Sequence, residues 1–170
     1  MDNILKIEPV SLRGNFIITN NSQKVLELKY KKWYSKKAES IYHGHKINIS
    51  PTSLWNNKFM ISKNNENIGN IKYNWKGHIS IELVSTAKSK KTYLLKSKGF
   101  WKRYFELIDE SKNIVLILYP KHSFKGYSYT PEVLNDNLSE KEVIEILIYL
   151  GFGANLYMSM LSSSLSFAGA

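Results

Sequence analysis

The sequence predicts one mainly β domain over residues 1–170, an antiparallel β-barrel closed around a single hydrophobic C-terminal helix. Strand-like alternation of apolar and polar residues, bounded by turn-forming residues, recurs from about residue 12 to residue 130. A helix signal near residue 140 then leads into an apolar segment that ends near residue 165. A hydrophobic content of 43% over 170 residues is sufficient for one packed core.

Strands are predicted where β-branched and aromatic residues cluster between turn signals. The nine segments are Asn15–Thr19, Lys24–Tyr30, Lys46–Ile49, Lys58–Ser62, Ile68–Tyr73, His78–Val84, Thr92–Lys96, Arg103–Ile108 and Ile114–Tyr119. Trp33–Ser35 and Phe124–Tyr129 would add two short ones, and the strand pattern is expected to stop at Pro131. The connections are short and rich in Asn, Asp, Gly and Ser, which favours antiparallel neighbours.

The helix is predicted from a capping pattern at its start. In Ser139-Glu140-Lys141-Glu142 the serine is placed to accept from the amide of Glu142, while the glutamate side chain reaches back. Beyond it, residues 146–170 contain no charged residue. A helix that is apolar on all sides is either buried in a protein core or inserted in a membrane, and this one is long enough to span a bilayer.

Three features favour a helix buried in its own barrel over a membrane anchor. Gly151, Gly153 and Asn155 interrupt the middle of the segment, five serines make its second half polar, and its N-terminal flank is acidic where an anchor is normally basic. Antiparallel strands that close into a large barrel also need an apolar element inside. The substitution Leu156→Asp, in the middle of this helix, is therefore expected to destabilise the domain severely.

One stretch before the helix resembles a known superfamily. Gly99–Asp109, followed by Asn113–Leu116, looks like the strand, turn and strand that precede the helix in the tubby-like group, which includes the phospholipid scramblases and the LURP-one-related proteins. The resemblance covers Leu12 to about Leu165 as an order of elements, and it implies a barrel of about a dozen strands around one helix. Lys98–Leu107 also resembles the basic second strand of a pleckstrin-homology domain, which is the alternative.

The sequence contains no pattern of catalytic or metal-binding residues. There is no cysteine, and none of the four histidines lies in a triad or elbow motif. His43 and His45 could share a metal from one strand face but have no third ligand at motif spacing, so a surface pair is expected. Asp109 and Glu110 fall in a predicted turn, and the glycines of Gly151-Phe152-Gly153 are expected to serve helix packing. The sequence therefore predicts no enzyme, no cofactor and no metal.

Positive charge is the main functional signal in the sequence. The formal net charge is +10, and residues 1–130 hold 23 of the 24 Lys and Arg but 9 of the 14 Asp and Glu. The first candidate set for an anionic ligand is Lys88, Lys90, Lys91, Lys96, Lys98, Lys102 and Arg103. The second is a patch of cations and aromatics, Lys31, Lys32, Trp33, Tyr34, Lys36 and Lys37. Lysines contact phosphate as point charges, which argues against sequence-specific nucleic-acid recognition.

These observations predict a non-enzymatic binding module that contacts anionic lipid headgroups or a membrane surface through a basic barrel face, as the resemblance implies. The alternative is a protein-interaction or accessory subunit without a lipid role, and nucleic acid is a third kind of partner. Because Met1–Val10 lacks a signal-peptide pattern, a cytoplasmic or peripheral-membrane location is expected. If the first set binds lipid, charge reversal of Lys90, Lys91 and Lys98 should abolish binding to anionic vesicles.

Overall fold

The structure is a computed structural model that describes residues 4–31, 36–52, 57–74, 78–84, 89–99 and 103–167, and the helix side chains as far as Leu161. The elements are β1 (Leu5–Pro9), β2 (Phe16–Asn20), β3 (Gln23–Tyr30), β4 (Ala38–Tyr42), β5 (His45–Pro51), β6 (Lys58–Lys63), β7 (Glu66–Tyr73), β8 (Ile79–Val84), β9 (Lys90–Lys98), β10 (Tyr104–Ile108), β11 (Ile114–Ser123), β12 (Gly126–Val133) and α1 (Glu140–Phe167).

The twelve strands form one closed antiparallel barrel in chain order. Each strand pairs with the next along the chain, and β1 pairs with β12 at Ile7 and Tyr129 to complete the circle. Closure removes the unpaired strand edges that an open sheet would expose. The predicted fold class is confirmed, and the pleckstrin-homology alternative does not fit because Tyr104–Ile108 is the tenth of twelve strands.

All nine predicted strands are present, with ends shifted by a few residues, while β1 and β4 were not predicted. In β4 the usual pattern is inverted: Ala38, Ser40 and Tyr42 face the interior, and Ile41 is 67% exposed on the outside. Hydrophobicity therefore gives little sign of this strand. The suggested strand Trp33–Ser35 lies outside the described residues.

The expectation that strands end at Pro131 is wrong. The suggested short strand Phe124–Tyr129 is the beginning of β12, which starts at Gly126 and continues to Val133. Pro131 is in register with Leu118 of β11 and lies two residues beyond Tyr129, where β12 meets β1. A strand tolerates proline where no neighbouring strand requires its N–H group.

The barrel interior is filled by alternate strand residues and by α1. Successive side chains of a strand point to opposite faces, so every second residue contributes to the core. The fully buried strand residues include Ile7, Ile18, Leu28, Ile47, Ile49, Ile61, Ile71, Leu107 and Leu118. The helix adds Val143, Ile144, Ile146, Leu147, Ile148, Tyr149, Leu150, Phe152, Ala154 and Leu156. One core therefore joins all the strands to the helix.

The segment Glu140–Leu161 is long and apolar enough to cross a membrane by length and composition, with a mean hydropathy of 1.5. In this fold, 67% of its most apolar part is buried inside the protein. The helix predicted to fill the barrel is confirmed, and it continues to Phe167.

The capping pattern at the start of α1 is confirmed. The amide of Glu142 donates to Ser139 Oγ at 3.3 Å, and Glu142 Oε2 accepts from the Ser139 amide at 3.0 Å and from its hydroxyl at 2.7 Å. These hydrogen bonds from Ser139, together with Lys91, hold the pKa of Glu142 below its usual value. Asn20 Nδ2 donates to Glu140 at 2.8 Å and ties the first turn to β2.

Polar contacts near both ends of the helix hold it inside the barrel. Tyr129 OH donates to Asn155 Oδ1 at 3.0 Å, and Asn155 Nδ2 donates to the carbonyl of Gly14 at 3.2 Å. Near the other end of the helix, Lys63 Nζ lies 3.1 Å from Glu145. These partners satisfy polar groups that would otherwise be costly to bury, and they fix the position of the helix along the barrel.

Gly151 marks the closest approach between α1 and the barrel wall. A Cβ at Gly151 would lie 2.7 Å from Cζ of Phe16, whose ring is buried, whereas a Cβ at Gly153 would lie 3.4 Å from Ile79 Cδ1. The first distance requires the wall to move, and the second is an ordinary contact. The prediction that these glycines serve helix packing therefore applies most strongly to Gly151.

We expect the two Gly→Ala substitutions to change stability in opposite directions. Gly151→Ala should lower the free energy of unfolding by up to about 2 kcal/mol, because overpacking costs about 1–3 kcal/mol and alanine recovers about 1 kcal/mol in helix propensity. Gly153→Ala is its matched control and should be neutral or stabilising by up to about 1 kcal/mol. Urea unfolding of both variants measures the difference, and equal effects would contradict the packing at Gly151.

Candidate functional site

The two ends of the barrel are formed by different sets of connections. Because every neighbouring pair of strands is antiparallel, successive connections alternate between the ends. One end, here called the rim, has the connections 10–15, 31–37, 52–57, 74–78, 99–103 and 124–125. The opposite end has 21–22, 43–44, 64–65, 85–89, 109–113 and 134–139. The helix begins at the opposite end and runs toward the rim, where Asn155 meets Gly14.

The sequences of the two sets of connections differ sharply. The rim connections contain nine Lys and Arg and no Asp or Glu, whereas the opposite set contains two Lys and three acidic residues. The segments 32–35, 53–56, 75–77 and 100–102 lie outside the described residues, but by sequence each carries one of the four tryptophans of the chain. The opposite connections contain no Phe, Trp or Tyr. Charge and aromatic content are therefore concentrated toward one end.

The first rim connection presents an apolar side chain to solvent. Leu12 is 80% exposed, and Arg13 follows it. The base of this loop is held by the Val10 amide, which donates to the Asn15 carbonyl at 2.8 Å, and by the Tyr30 amide, which donates to Asn15 Oδ1 at 2.8 Å. Leu12 is thus presented at the tip of a loop with a hydrogen-bonded base.

The last rim connection also presents an exposed apolar side chain followed by a cation. Phe124 is 93% exposed in the turn between β11 and β12, and Lys125 follows it. Ser123 Oγ donates to the Gly126 carbonyl at 2.8 Å and closes this turn. The Cβ position of Gly126 lies 3.5 Å from Cβ of Pro9, at the end of β1, so this turn and the Leu12 loop are neighbours.

Three rim cations have no acidic partner among the described residues. Arg13, Lys36 and Lys125 form no ion pair there, although eight other lysines do, Lys31 and Lys98 at the rim among them. Arg103 is also at the rim, where its guanidinium lies 5.7 Å from the ring centroid of Tyr157 on α1. The rim therefore carries positive charge that the described part of the chain does not neutralise.

Three of these cations lie beside a cavity of about 550 Å³ that opens at the rim. Arg13, Lys36 and Lys125 line it together with buried residues of α1, Phe152 and Leu156. The exposed cations form its mouth, and the buried helix side chains form its floor. The cavity thus has a positive mouth and an apolar floor.

Tyr30 lies against this floor. Its ring stacks on that of Phe152 with centroids 5.9 Å apart, and burial holds the pKa of its hydroxyl well above the usual value near 10. Gly14, opposite this ring, has a φ of +91°, and a Cβ there would come within 3.2 Å of Tyr30. Glycine is therefore required at the point where the Leu12 loop passes the cavity.

The first predicted basic set is spread along β9 and is not gathered at one place. Lys90 and Lys91 begin this strand at the opposite end, while Lys98 ends it at the rim, about 26 Å away at about 3.3 Å per residue. Lys96 lies between them on the same strand, and Arg103 lies at the rim. Lys88 and Lys102 lie outside the described residues.

Three lysines of this set have carboxylate partners. Lys90 lies 3.1 Å from Glu82, Lys91 lies 3.8 Å from Glu142, and Lys98 lies 3.8 Å from Glu106. Glu82 accepts hydrogen bonds from Asn70 and Lys90, which lower the pKa of its carboxyl. Pairing reduces the positive potential that these lysines offer to a ligand.

The second predicted patch lies in the rim connection between β3 and β4. Lys36 reaches the cavity, whereas Lys31 pairs with Glu39 at 3.2 Å and its amide donates to the Lys37 carbonyl at 3.0 Å. Burial raises the pKa of Glu39, but hydrogen bonds from Lys31 and Lys46 outweigh it and leave that pKa below the usual value. Lys32, Trp33 and Tyr34 lie outside the described residues.

The residues considered for metal binding or acid–base chemistry lie in turns or form hydrogen bonds within the protein. His43 lies in the turn before β5 with a φ of 48°, and His45 Nδ1 is 2.8 Å from Asn64 Nδ2. Within the described ranges, no three His, Asp or Glu residues gather closely enough to hold a metal ion. Asp109 Oδ1 accepts from the Asn113 amide at 2.8 Å, which closes the predicted turn.

Sequence reasoning missed Leu12, Arg13, Phe124 and Lys125 as one surface. Each pair places a large apolar residue beside a cation in a connection, a signal that is visible in the sequence. The pairs are more than a hundred residues apart, however, and only the closure of β1 against β12 makes them neighbours.

The fold and the rim define a class of protein: a closed twelve-stranded barrel filled by its C-terminal helix, with one basic and apolar end. A similar fold occurs in the X-ray structure of the Arabidopsis thaliana protein AT5G01750, with a TM-score of 0.56 and 16% sequence identity, over 89% of this chain and 90% of that chain. At this identity the likeness shows the fold alone. No family model matches the chain. No curated protein matches it either.

Proposed function

We propose that the chain is a tubby-like barrel protein of the LURP-one-related kind and a non-enzymatic module that binds anionic membrane surfaces through its rim. The observation that carries the proposal is the coincidence, at one end of the barrel, of exposed Leu12 and Phe124 with the cations Arg13, Lys36 and Lys125. The sequence resemblance of Gly99–Asp109 and the fold of the Arabidopsis protein support the superfamily assignment.

The apolar part of the rim supplies insertion energy. Burying a side chain such as Phe124 or Leu12 contributes about 1.5–3 kcal/mol, and both are exposed in the free protein. The interface between headgroups and acyl chains is where aromatic side chains and the stems of lysines are most stable. Four rim connections also carry a tryptophan by sequence. The rim is therefore suited to lie in this interface.

The charged part of the rim supplies selectivity for anionic lipid. A cation near an anionic leaflet contributes about 1 kcal/mol, and the rim connections contain no acidic residue that would oppose it. The negative charges of the chain lie elsewhere, notably Asp109, Glu110 and Asp136 in the opposite connections. This polarity would orient the barrel with its rim toward the membrane, and it supports the proposal of a peripheral location on a cytoplasmic leaflet.

The test compares two triple charge reversals that change the net charge equally. Arg13→Glu, Lys36→Glu and Lys125→Glu together should weaken binding to phosphatidylcholine vesicles containing phosphatidylserine by about 100-fold, because three cations are lost at about 1 kcal/mol each. The matched control reverses the β9 lysines in the triple variant K90E, K91E and K98E. Co-sedimentation at several lipid concentrations measures both affinities.

The rim proposal expects the β9 variant to bind within a few-fold of the unmodified protein, because these lysines are paired and two of them lie at the opposite end. A greater loss of vesicle affinity in the β9 variant would show that the membrane contacts the barrel wall at β9 and not the rim, as the first basic set predicts. Binding that survives both reversals and high salt would overturn the electrostatic proposal. Absence of vesicle binding by the unmodified protein would favour the protein-interaction alternative.

A further inference from the structure

The cavity in the rim has two kinds of lining that suit opposite ends of one molecule. Arg13, Lys36 and Lys125 surround its exposed mouth, while Phe152 and Leu156 form a floor that is almost inaccessible to solvent. Its volume of about 550 Å³ lies within the range of about 300–1,000 Å³ that is typical of small-molecule pockets. One ligand of moderate size would fit, with a negative group at the mouth.

Two polar side chains of α1 that line the cavity are already hydrogen-bonded within the protein. Asn155 uses Oδ1 to accept from Tyr129 and Nδ2 to donate to Gly14, and Ser159 Oγ donates to the Leu156 carbonyl at 2.8 Å. Ser11 Oγ, also in the lining, is buried without a hydrogen-bond partner in the described part of the chain. The side chains of Phe152 and Leu156 offer none, so a sugar or a nucleobase on the floor would lose its hydrogen bonds to water. An alkyl chain has no such requirement and gains from contact with an apolar floor.

We infer that the cavity binds one molecule of an anionic amphiphile, a single alkyl chain that ends in a phosphate or a carboxylate. The inference rests on the proposed function, since a membrane that meets the rim would supply such a molecule. Arg13 can hold either oxyanion through two parallel hydrogen bonds, and the lysines act as point charges beside it. The alkyl chain of the ligand lies on Phe152 and Leu156.

Calorimetric titration of the full chain with dodecyl phosphate, kept below its critical micelle concentration, tests the inference. Saturable binding of one molecule per chain is expected. Inorganic phosphate, which lacks the chain, and dodecyl maltoside, which lacks the charge, should each bind at least tenfold more weakly. Dodecanoate should bind within about tenfold of dodecyl phosphate, because the two share a negative group and an alkyl chain.

A variant that fills the cavity locates the site. Ser159 is exposed, lines the cavity and bonds only within its own helix, so Ser159→Trp should weaken dodecyl phosphate binding at least tenfold without unfolding the barrel. Ser111→Trp is the control, because Ser111 is exposed in a turn at the opposite end. Circular dichroism checks that both variants fold. Unchanged affinity in Ser159→Trp would overturn the assignment to this cavity.

The inference and the proposed function can fail separately. If the unmodified protein binds anionic vesicles but not dodecyl phosphate, the cavity inference is wrong and the rim proposal stands. If it binds dodecyl phosphate with one-to-one stoichiometry but not vesicles, membrane docking is wrong and the cavity stands. Unsaturable binding of many detergent molecules would also refute the cavity site.

Discussion

A chain that ends at Asn137, before α1, is expected to lose cooperative folding. The helix buries ten apolar side chains between Val143 and Leu156, all in one core with the strands. Each contributes about 1.5–3 kcal/mol, so their loss exceeds the stability of about 5–15 kcal/mol that holds a typical domain together. An empty barrel would also expose the inner face of every strand. Thermal unfolding followed by circular dichroism should show no transition.

The matched truncation ends after Leu161 and keeps all ten of these side chains. It should retain a cooperative transition, because the barrel keeps the ten helix side chains that fill it. A cooperative transition in the chain that ends at Asn137 would contradict the role of the helix as the filling of the barrel.

A point substitution gives the same test in a full-length chain. Leu150 is completely buried, so Leu150→Asp places a carboxylate where the core offers it no partner and should destabilise by several kcal/mol. Leu156, predicted from sequence to be equally sensitive, is 8% exposed and lines the rim cavity, so Leu156→Asp should cost less. Ser159→Asp, at an exposed position of the same helix, is the control and should be nearly neutral.

Alkaline unfolding is the second large expected effect. Tyr129 and Tyr149 are fully buried inside the barrel, and burial is the main reason that the pKa of each hydroxyl is raised well above 10. A raised tyrosine pKa means that the unfolded chain loses its proton first as pH rises. The stability linked to these two tyrosines is therefore fully present below about pH 10. Above that pH it falls by about 1.4 kcal/mol per pH unit for each tyrosine.

Together the two tyrosines should remove about 3 kcal/mol of stability per pH unit above pH 10. Tyrosinate absorbance and far-ultraviolet circular dichroism should then change together, because the buried hydroxyls ionise only when the barrel opens. Tyr149→Phe should move the alkaline midpoint upward, since Glu145 keeps its contact with Lys63. Tyr119→Phe should move it much less, because the pKa of this exposed tyrosine is raised chiefly by a hydrogen bond to Glu132 at the surface and not by burial. Full tyrosine ionisation before any loss of circular dichroism would contradict the prediction.

Local patterns carried most of the prediction of the fold. Ser139 and Glu142 contact each other within one helical turn, so the cap could be predicted from four residues. The strand β4 could not be predicted in this way, because Ile41 faces outward while Ala38 and Ser40 face the core. The side chains of β4 that face the core are selected by its pairing with β3 and β5. This pairing is a property of the barrel and cannot be read from the sequence of β4 alone.

The candidate site depended much more on tertiary structure. Clustering along the chain selected Lys90, Lys91 and Lys98, and the fold places these lysines beside carboxylates from other strands and from the helix. Arg13 and Lys125 are isolated cations in the sequence, and the fold brings them to the mouth of one cavity. Proximity in sequence is a poor guide to proximity on a barrel, where neighbours alternate between faces and ends.

By itself the sequence determined the β-rich class, the start of the helix, and the apolarity that requires the helix to lie in a protein core or a membrane, because these depend on periodicity and on contacts within a few residues. Only the tertiary structure decided which connections share an end. That depends on the closure of β1 against β12 and on the antiparallel order of all twelve strands. The same closure makes Leu12 and Phe124 neighbours, and it thereby turns scattered apolar and basic residues into one surface.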